Sequence, residues 1–201
     1  TEVQRILARQ ERHGFLFDYQ AAELLYRTLA KRREELRVEL GKVFPPWWHH
    51  GIIKRPTRDV NYKKNPMQAG TCEGAEYQQT SLIIFNPGSR QHIANRLKKY
   101  YGWTPSEFTD NGEPKIDESV LKGLEWPEAR LLEEHFLIDK RVGALAEGDN
   151  AWMRRVGKDG RMHGSVNPMG TVTGRMSHSY PNMGQVPAAY SPYGKECRSL
   201  F

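Results

Sequence analysis

The chain has 201 residues, a formal net charge of +6 and 38% apolar residues, enough for one domain or two small ones with a stable core. No apolar run approaches the roughly 20 residues that span a bilayer, and the first residues do not resemble a signal peptide, so neither a membrane-spanning helix nor a signal peptide is predicted in these residues. Cys72 and Cys197 lie far apart without metal-ligand spacing, as is typical of thiols in a reducing cytoplasm.

The first 44 residues have the pattern of two helices. Residues 1–13 place apolar side chains on one side of a helix that Gly14 ends. Asp18 is a suitable N-cap for a second helix, and Gly41 is a suitable stop. The predicted buried stripe of the second helix consists of Leu25, Leu29, Leu36 and Leu40.

Residues 45–81 show no sustained periodicity, because Pro, Gly, Asn and basic residues dominate, with aromatic residues between them. The segment predicts a long loop or small insertion, and loops of this length tend to be functional or disordered. Two adjacent histidines, His49 and His50, make a poor metal site, so aromatic packing is the favoured interpretation of this cluster. Its candidate partner-binding residues are Trp47, Trp48, Lys54, Arg55, Tyr62, Lys63 and Lys64.

Helical patterns return after the apolar run that follows this insertion. Ser89 is expected to begin one helix, and Pro127 suits the first turn of a longer one. The stripe of the longer helix consists of Leu131, His135, Ile138, Val142 and Leu145. On it, His135 is interpreted as a core histidine rather than a ligand. Lys140 falls on the opposite side, at 100° per residue, and must point at solvent or at a ligand.

The helical periodicity of the sequence ends before residues 151–201. The segments AWMRRV, RMHGSV and TVTGR are separated by the turn tetrapeptides GKDG and NPMG, which predicts a small antiparallel β region. This region carries seven Lys or Arg against two Asp or Glu. A solvated basic surface explains the excess, and so does a surface that faces phosphates.

The segment TVTGRMSHSYPNMGQVP, residues 171–187, surrounds one guanidinium, that of Arg175, with neutral hydrogen-bonding groups and no carboxylate. Such a set suits the DNA minor groove, where purine N3 and pyrimidine O2 acceptors lie in similar places for every base pair. For an isolated Thr-Gly-Arg, an arginine that caps a carbonyl in a polar loop is the favoured interpretation.

The motif is not isolated, because TGRMSHSYPNMGQVP resembles the signature of the family A DNA polymerases. HGSVNPMGTVTGR before it and SPYGKECRSLF after it resemble the polymerases of short-tailed lytic bacteriophages. The resemblance implies an α+β fold: a mainly helical thumb at 18–150, with the insertion at 45–81, followed by the first short antiparallel strands of the palm at 151–201. Residues 1–17 would be the end of a helix leading from an upstream, exonuclease-side region.

The resemblance also implies a function. The parent would be a DNA-directed DNA polymerase that replicates phage DNA by template-directed nucleotidyl transfer in the cytoplasm of the infected host, and this segment would grip the primer–template duplex. Arg175 matches the arginine that contacts the primer end, Asn182 an asparagine near the duplex, and Lys140 a thumb lysine near phosphates. The family commonly has Gln where this chain has Gly184, and Gln185 follows. The resemblance therefore leaves open which amide reaches the groove. The full candidate DNA-binding set is Arg175, Thr173, Ser177, Asn182, Gln185, Lys140, Arg141, Lys98, Lys99 and Arg198.

Nucleotide transfer in this family uses Mg²⁺ held by palm carboxylates. After Asp149 the chain offers Asp159 and Glu196, neither in an Asp-x-Ser-x-x-Glu sequence, so no metal ligand is assigned and the segment alone is expected to be inactive. By the same resemblance, residues 45–81 fall where phage relatives insert a longer loop that docks host thioredoxin as a processivity factor. A flexible basic loop with no partner is the other interpretation of this segment. The alternative function is a stand-alone nucleic-acid-binding module, which a stop codon directly after Phe201 would favour.

Overall fold

In a computed structural model of the chain, residues 2–59 and 72–201 are described; Tyr62, Lys63 and Lys64 of the partner-binding set lie outside them. The fold is α+β, as the sequence predicts. The chain forms two compact units: a larger unit of Thr1–Leu36 with Glu118–Phe201, and a smaller unit of Arg37–Asp117. Among the described residues, no helix is both long enough and apolar enough to cross a bilayer.

The helices and strands alternate irregularly along the chain. The helices are α1 (Glu2–His13), α2 (Tyr19–Val43), α3 (Arg90–Tyr101), α4 (Glu118–Lys122), α5 (Pro127–Val142), α6 (Trp152–Arg155) and α7 (Gly194–Arg198). The strands are β1 (Phe15–Leu16), β2 (Trp47–Lys54), β3 (Tyr77–Ile83), β4 (Arg161–Met162), β5 (Ser165–Asn167) and β6 (Ser177–Ser179). A π-helical turn, Gly143–Glu147, extends α5, and a 3₁₀ turn covers Met183–Gln185.

The predicted start of α2 is confirmed, and the helix ends two residues beyond Gly41, near the predicted stop. Asp18 Oδ1 accepts the backbone N–H of Ala21 at 2.9 Å, which satisfies one of the unpaired donors of the first turn. The helix continues through Gly41 to Val43. Two prolines follow at residues 45–46, and proline cannot continue a helix.

The core of the larger unit lies where α2, α5 and the last residues of the chain pack together. The α5 stripe is confirmed at Ile138 and Val142, which are fully buried, and His135 is a buried core histidine as expected. Residues from α2, α6, β4 and α7 complete the cluster, including Leu29, Leu36, Trp152, Met162, Cys197 and Leu200. Since these elements are far apart in sequence, each fixes the position of the others.

Of the two alternatives predicted for residues 45–81, a long loop or a small insertion, the described part agrees with a small insertion. β2 and β3 form an antiparallel hairpin in the smaller unit, with Trp48 opposite Leu82. The pattern is missing from the sequence because most side chains on both faces of the hairpin are exposed, so neither face needs to be apolar. Its root is held by Trp47, whose ring lies 3.8 Å from the guanidinium carbon of the buried Arg96 in α3.

The β region of residues 151–201 is smaller than predicted. β5 pairs with β6, and β4 pairs with β1 from the start of the chain. AWMRRV forms the single-turn helix α6 instead of a strand, because Ala151 and Trp152 are both buried in the core. TVTGR forms a turn instead of a strand, with Gly174 at φ +74°, a conformation that glycine adopts readily.

Candidate nucleic-acid interface

A cleft of about 780 Å³ opens in the larger unit between the C-terminal end of α5 and the segment 178–187. The polar side chains that line it are those of Lys140, Arg141, Asn150, His178, Ser179, Tyr180, Asn182 and Gln185. No Asp or Glu is among the described residues that line it. The cleft therefore offers two cations and many neutral donors to a ligand, which suits a polyanion.

The two cations of the cleft, Lys140 and Arg141, are engaged within the chain. Lys140 Nζ lies 2.6 Å from Glu118 Oε1, although its side chain is 68% exposed. The Arg141 guanidinium donates to the carbonyl of Pro192 at 3.5 Å and to Ser191 Oγ at 3.4 Å. These long bonds to neutral acceptors leave the positive charge of Arg141 uncancelled.

Two amide side chains, Asn182 and Gln185, line the same cleft. Asn182 Oδ1 accepts the backbone N–H of Gly184 at 3.1 Å and so caps the short turn that follows. Because its oxygen is committed to that turn, the Nδ2 group is the part of the amide that can donate to a ligand. Gln185, rather than the position of Gly184, lines the cleft beside Asn182. The role of either amide at the DNA groove stays a prediction.

Arg198 supports the cleft wall without lining the cleft. Its Nε donates to the carbonyl of Pro187 at 2.8 Å, and Pro187 is part of the lining. The neighbouring Cys197 is buried, and that burial raises the pKa of its thiol. The thiol therefore stays protonated at neutral pH and packs as part of the core.

Arg175, Thr173 and Ser177 form a second group, in and beside the loop between β5 and β6. Arg175 follows a turn and precedes β6, so the prediction that its segment TVTGR is a strand is wrong. Thr171 fixes its backbone, because Thr171 Oγ1 accepts the N–H of Arg175 at 2.9 Å and lies 3.0 Å from its carbonyl oxygen. Thr173 Oγ1 lies 3.1 Å from the same hydroxyl. The Arg175 side chain is exposed and lies outside the lining of the cleft.

The remaining predicted residues belong to the smaller unit. Lys98 and Lys99 are exposed in the last turn of α3. Trp47 packs at the hairpin root, whereas Trp48 is 62% exposed. Lys54 ends β2 as an exposed side chain, and Arg55 pairs with Glu76.

An arginine of α2, Arg33, holds the end of α5 beside the cleft. Its guanidinium donates to both carboxylate oxygens of Glu147, at 2.8 and 2.7 Å, and to Asp139 at 3.1 Å. The hydrogen bond from Arg33 lowers the pKa of Glu147, and the hydrogen bond to Glu147 raises the pKa of Arg33. The turn that leads into the cleft-lining Gly148 is thereby tied to α2.

The candidate set omits four of the polar residues that line the cleft: Asn150, His178, Ser179 and Tyr180. The Arg155 guanidinium donates to Asn150 Oδ1 at 2.7 Å and lies 5.4 Å from the Tyr180 ring centroid. Tyr180 has φ +55°, which is uncommon for a residue other than glycine and often marks a functional position.

No three His, Cys, Asp or Glu side chains lie together as a metal-binding group within residues 2–59 and 72–201. Asp159 pairs with His163, at 3.0 Å between Oδ2 and Nε2, instead of facing another carboxylate.

The chain is similar to known polymerases along nearly its whole length. Residues 62–201 match the sequence model described as DNA polymerase family A. The DNA-directed DNA polymerases of Enterobacteria phage T3 and Escherichia phage T7 are 40% and 39% identical over 234 residues, which cover 98% of this chain and 33% of each relative. The chain thus spans about a third of their length. The POL domain of Pol1 from M. smegmatis, solved in complex with DNA primer-template and dNTP, has a TM-score of 0.70 and 20% identity, and the likeness covers 99% of this chain and 28% of that chain. This structural likeness concerns the fold.

Proposed function

The chain belongs to DNA polymerase family A, and on that premise we propose that it binds primer–template DNA as part of a DNA-directed DNA polymerase that replicates phage DNA. The parent protein would perform template-directed nucleotidyl transfer in the cytoplasm of the infected host. Residues 18–150 would serve as the thumb and residues 151–201 as the first part of the palm.

The observation that carries the proposal is the composition of the cleft. Lys140 and Arg141 supply positive charge, while Asn182 and Gln185 supply amide donors, and no described lining residue is a carboxylate. Phosphates dominate the affinity of proteins for DNA, whereas amides can reach minor-groove acceptors without reading sequence. The cleft is therefore suited to bind a duplex of any sequence.

Arg175 would approach the primer terminus from the minor groove. Its exposed side chain leaves a loop whose backbone is fixed by Thr171, so the guanidinium can bridge acceptors that align when the last base pair is correct. Thr173 and Ser177 would supply further hydroxyl donors beside it. In the smaller unit, Lys98 and Lys99 would contact the phosphate backbone.

A salt titration of duplex binding tests the proposal. Fluorescence anisotropy of a labelled primer–template with the 201-residue chain should give a log–log salt slope near −3 if about three cations contact phosphates. Lys140→Met should make the slope less steep by up to about 0.9. Lys158→Met, which removes the same charge from a turn outside the cleft, is the matched control. Salt-independent binding, or no binding at low salt, would contradict the proposal.

The 201-residue polypeptide is proposed to bind DNA without extending a primer. Catalysis by the parent would depend on Mg²⁺ and on carboxylates outside the described residues, so no catalytic step is assigned to this chain. A primer-extension assay with Mg²⁺ and all four nucleotides should show no product for the polypeptide. Extension by the purified polypeptide would contradict this assignment.

The β2–β3 hairpin is proposed to carry a processivity partner such as host thioredoxin. Trp48 and Leu82 are opposite each other across the hairpin, and their side chains are 62% and 52% exposed. Adjacent exposed apolar side chains of this size are typical of protein-binding surfaces. Calorimetric titration with thioredoxin should detect binding that Trp48→Ala weakens, and wild-type affinity in this variant would reject the hairpin as the docking site.

A further inference from the structure

The ion pair between Lys140 and Glu118 joins the candidate DNA cleft to a residue that does not line it. Lys140 lines the cleft, and its Nζ lies 2.6 Å from Glu118 Oε1. Glu118 is the first residue of α4, and its side chain is 31% exposed. The ammonium group can therefore be reached from solvent while it is bound to Glu118.

The Lys140 ammonium can form a close ion pair with one anion at a time. Lysine carries a compact point charge at the end of a flexible stem, unlike the forked guanidinium of arginine. While Glu118 holds the ammonium, the pair is close to neutral, and a phosphate in the cleft gains little from it. Moving to a phosphate requires rotation of the lysine stem and no change in the backbone.

The pair is weak enough for DNA to break it. Exposed ion pairs typically shift an equilibrium by about fivefold or less. Lys122, one turn later in α4, lines the same groove as Glu118, and its Nζ lies 3.7 Å from Glu133 Oε1. Glu118 Oε1 itself is buried and, apart from its ion pair with Lys140, accepts no hydrogen bond from the described residues, although the Glu118 side chain as a whole is 31% exposed. Lys140 is therefore expected to leave it only when another anion, such as a DNA phosphate, binds the ammonium.

We propose that Glu118 is an intramolecular competitor of DNA phosphate for Lys140 and thereby lowers the duplex affinity of the cleft. This inference rests on the proposed function, since it assigns a regulator to the same site. Glu118 acts through Lys140 and does not touch the DNA itself. It favours release of the duplex, which a polymerase needs in order to move along its template.

A double-mutant cycle on duplex binding tests this competition. Glu118→Gln should tighten binding up to about fivefold at low salt. It should also steepen the log–log salt slope, and this steepening together with the flattening by Lys140→Met should amount to about 0.9, the contribution of one lysine. Lys140→Met should weaken binding, and the variant with both substitutions should bind as weakly as Lys140→Met alone. Glu125→Gln removes the same charge from the exposed connection between α4 and α5 and controls for the change in net charge.

The outcomes separate the inference from the proposed function. If Lys140→Met weakens binding while Glu118→Gln has no effect, or has the effect of Glu125→Gln, the competition is overturned and the DNA-binding cleft stands. Tighter binding by Glu118→Gln in the Lys140→Met background also overturns it, because the gain would then be a general charge effect. A lowered melting temperature with weakened binding in Glu118→Gln would make the pair structural. Absence of duplex binding by the unchanged chain would overturn both proposals.

Discussion

Replacing Asn182 by Asp should separate the structural role of this side chain from its proposed role in DNA binding. The amide oxygen accepts the N–H of Gly184 at 3.1 Å, and a carboxylate oxygen at the same place can accept that bond as well. Asn182→Asp therefore keeps the cap of the 3₁₀ turn. It removes the amide donor and places a negative charge in a cleft whose described lining contains none. Asn182→Ala removes both the cap and the donor without adding charge.

Asn182→Asp should bind duplex more weakly than Asn182→Ala, whereas Asn182→Ala should be the less stable variant. Loss of one hydrogen bond to DNA costs about 0.5–1.5 kcal/mol of binding free energy. A negative charge about 7 Å from a phosphate adds about 0.6–2.4 kcal/mol at an effective dielectric constant between 80 and 20. Asn182→Asp should therefore raise the Kd for duplex by about 5- to 700-fold. Asn182→Ala should raise it by about 2- to 13-fold and should lower the unfolding free energy by about 1 kcal/mol through loss of the cap.

Fluorescence anisotropy with a labelled duplex, together with thermal unfolding of each variant, measures both rankings. Asn167→Asp is the matched control, since Asn167 Oδ1 caps Met169 N at 3.0 Å but lies outside the cleft. The deficit of Asn182→Asp should shrink as salt rises, because salt screens the added repulsion. Equal affinities for the Asp variants at positions 182 and 167 would refute the assignment of the Asn182 amide to the interface.

Three further predictions concern other parts of the larger unit. In a complete polymerase, Arg175→Lys should slow extension of a matched primer by about 10- to 150-fold and of a mismatched primer less; equal slowing with a lower melting point would make the arginine structural. Leu29→Ala, at a fully buried site, should lower the unfolding free energy by about 3 kcal/mol in urea denaturation, and a loss below about 1 kcal/mol would contradict its core position. His163 has both ring nitrogens beside acceptors, the backbone oxygen of Glu11 at 2.7 Å and Asp159 Oδ2 at 3.0 Å, which raises its pKa, chiefly through the Glu11 bond. The contribution of His163 to stability should be complete below the unfolded-state pKa of about 6.5 and should be lost as pH rises through the raised pKa of the folded state. His163→Gln should therefore lower the melting point more at pH 6 than at pH 9. An equal effect at both pH values would refute this.

Helices with a local start signal were predictable from the sequence. Asp18 caps α2, Ser89 caps α3 by accepting the N–H of His92, and Pro127 opens α5. Each signal acts within one turn, so a short window of sequence contains all the interactions that decide it. The buried stripe of α5 was predictable for a similar reason, since helical periodicity relates residues three and four positions apart.

The elements that sequence reasoning missed depend on distant partners. The β2–β3 hairpin joins strands separated by more than twenty residues, and it has no apolar face that would impose alternation on its sequence. Trp152 begins a helical turn because its ring packs against Phe201, at a centroid distance of 5.3 Å, from the other end of the segment. The sequence around Trp152 does not indicate a contact with a residue so far along the chain. The short pairing of β1 with β4 likewise connects residues about 145 positions apart.

The candidate site was partly predictable because two kinds of signal converged on it. The spacing on α5 placed Lys140 away from the core, and the neutral donors around Asn182 pointed to a polar ligand. Nothing in either segment indicated that they face each other across one cleft. Tyr180 was missed because its position depends on a backbone conformation with φ +55°, which its residue type does not favour.

The way in which the arginines of the larger unit are anchored explains how a basic composition becomes a basic surface. Arg141, Arg155, Arg161 and Arg198 donate to backbone carbonyls or to neutral side chains. A guanidinium held by neutral acceptors loses conformational freedom but keeps its full charge. Arg33, in contrast, is held by the carboxylates of its neighbours and contributes little net charge. The arginines near the cleft thus stabilise the fold and maintain a positive field for an anion at the same time, which explains why residues 151–201 can carry so few carboxylates.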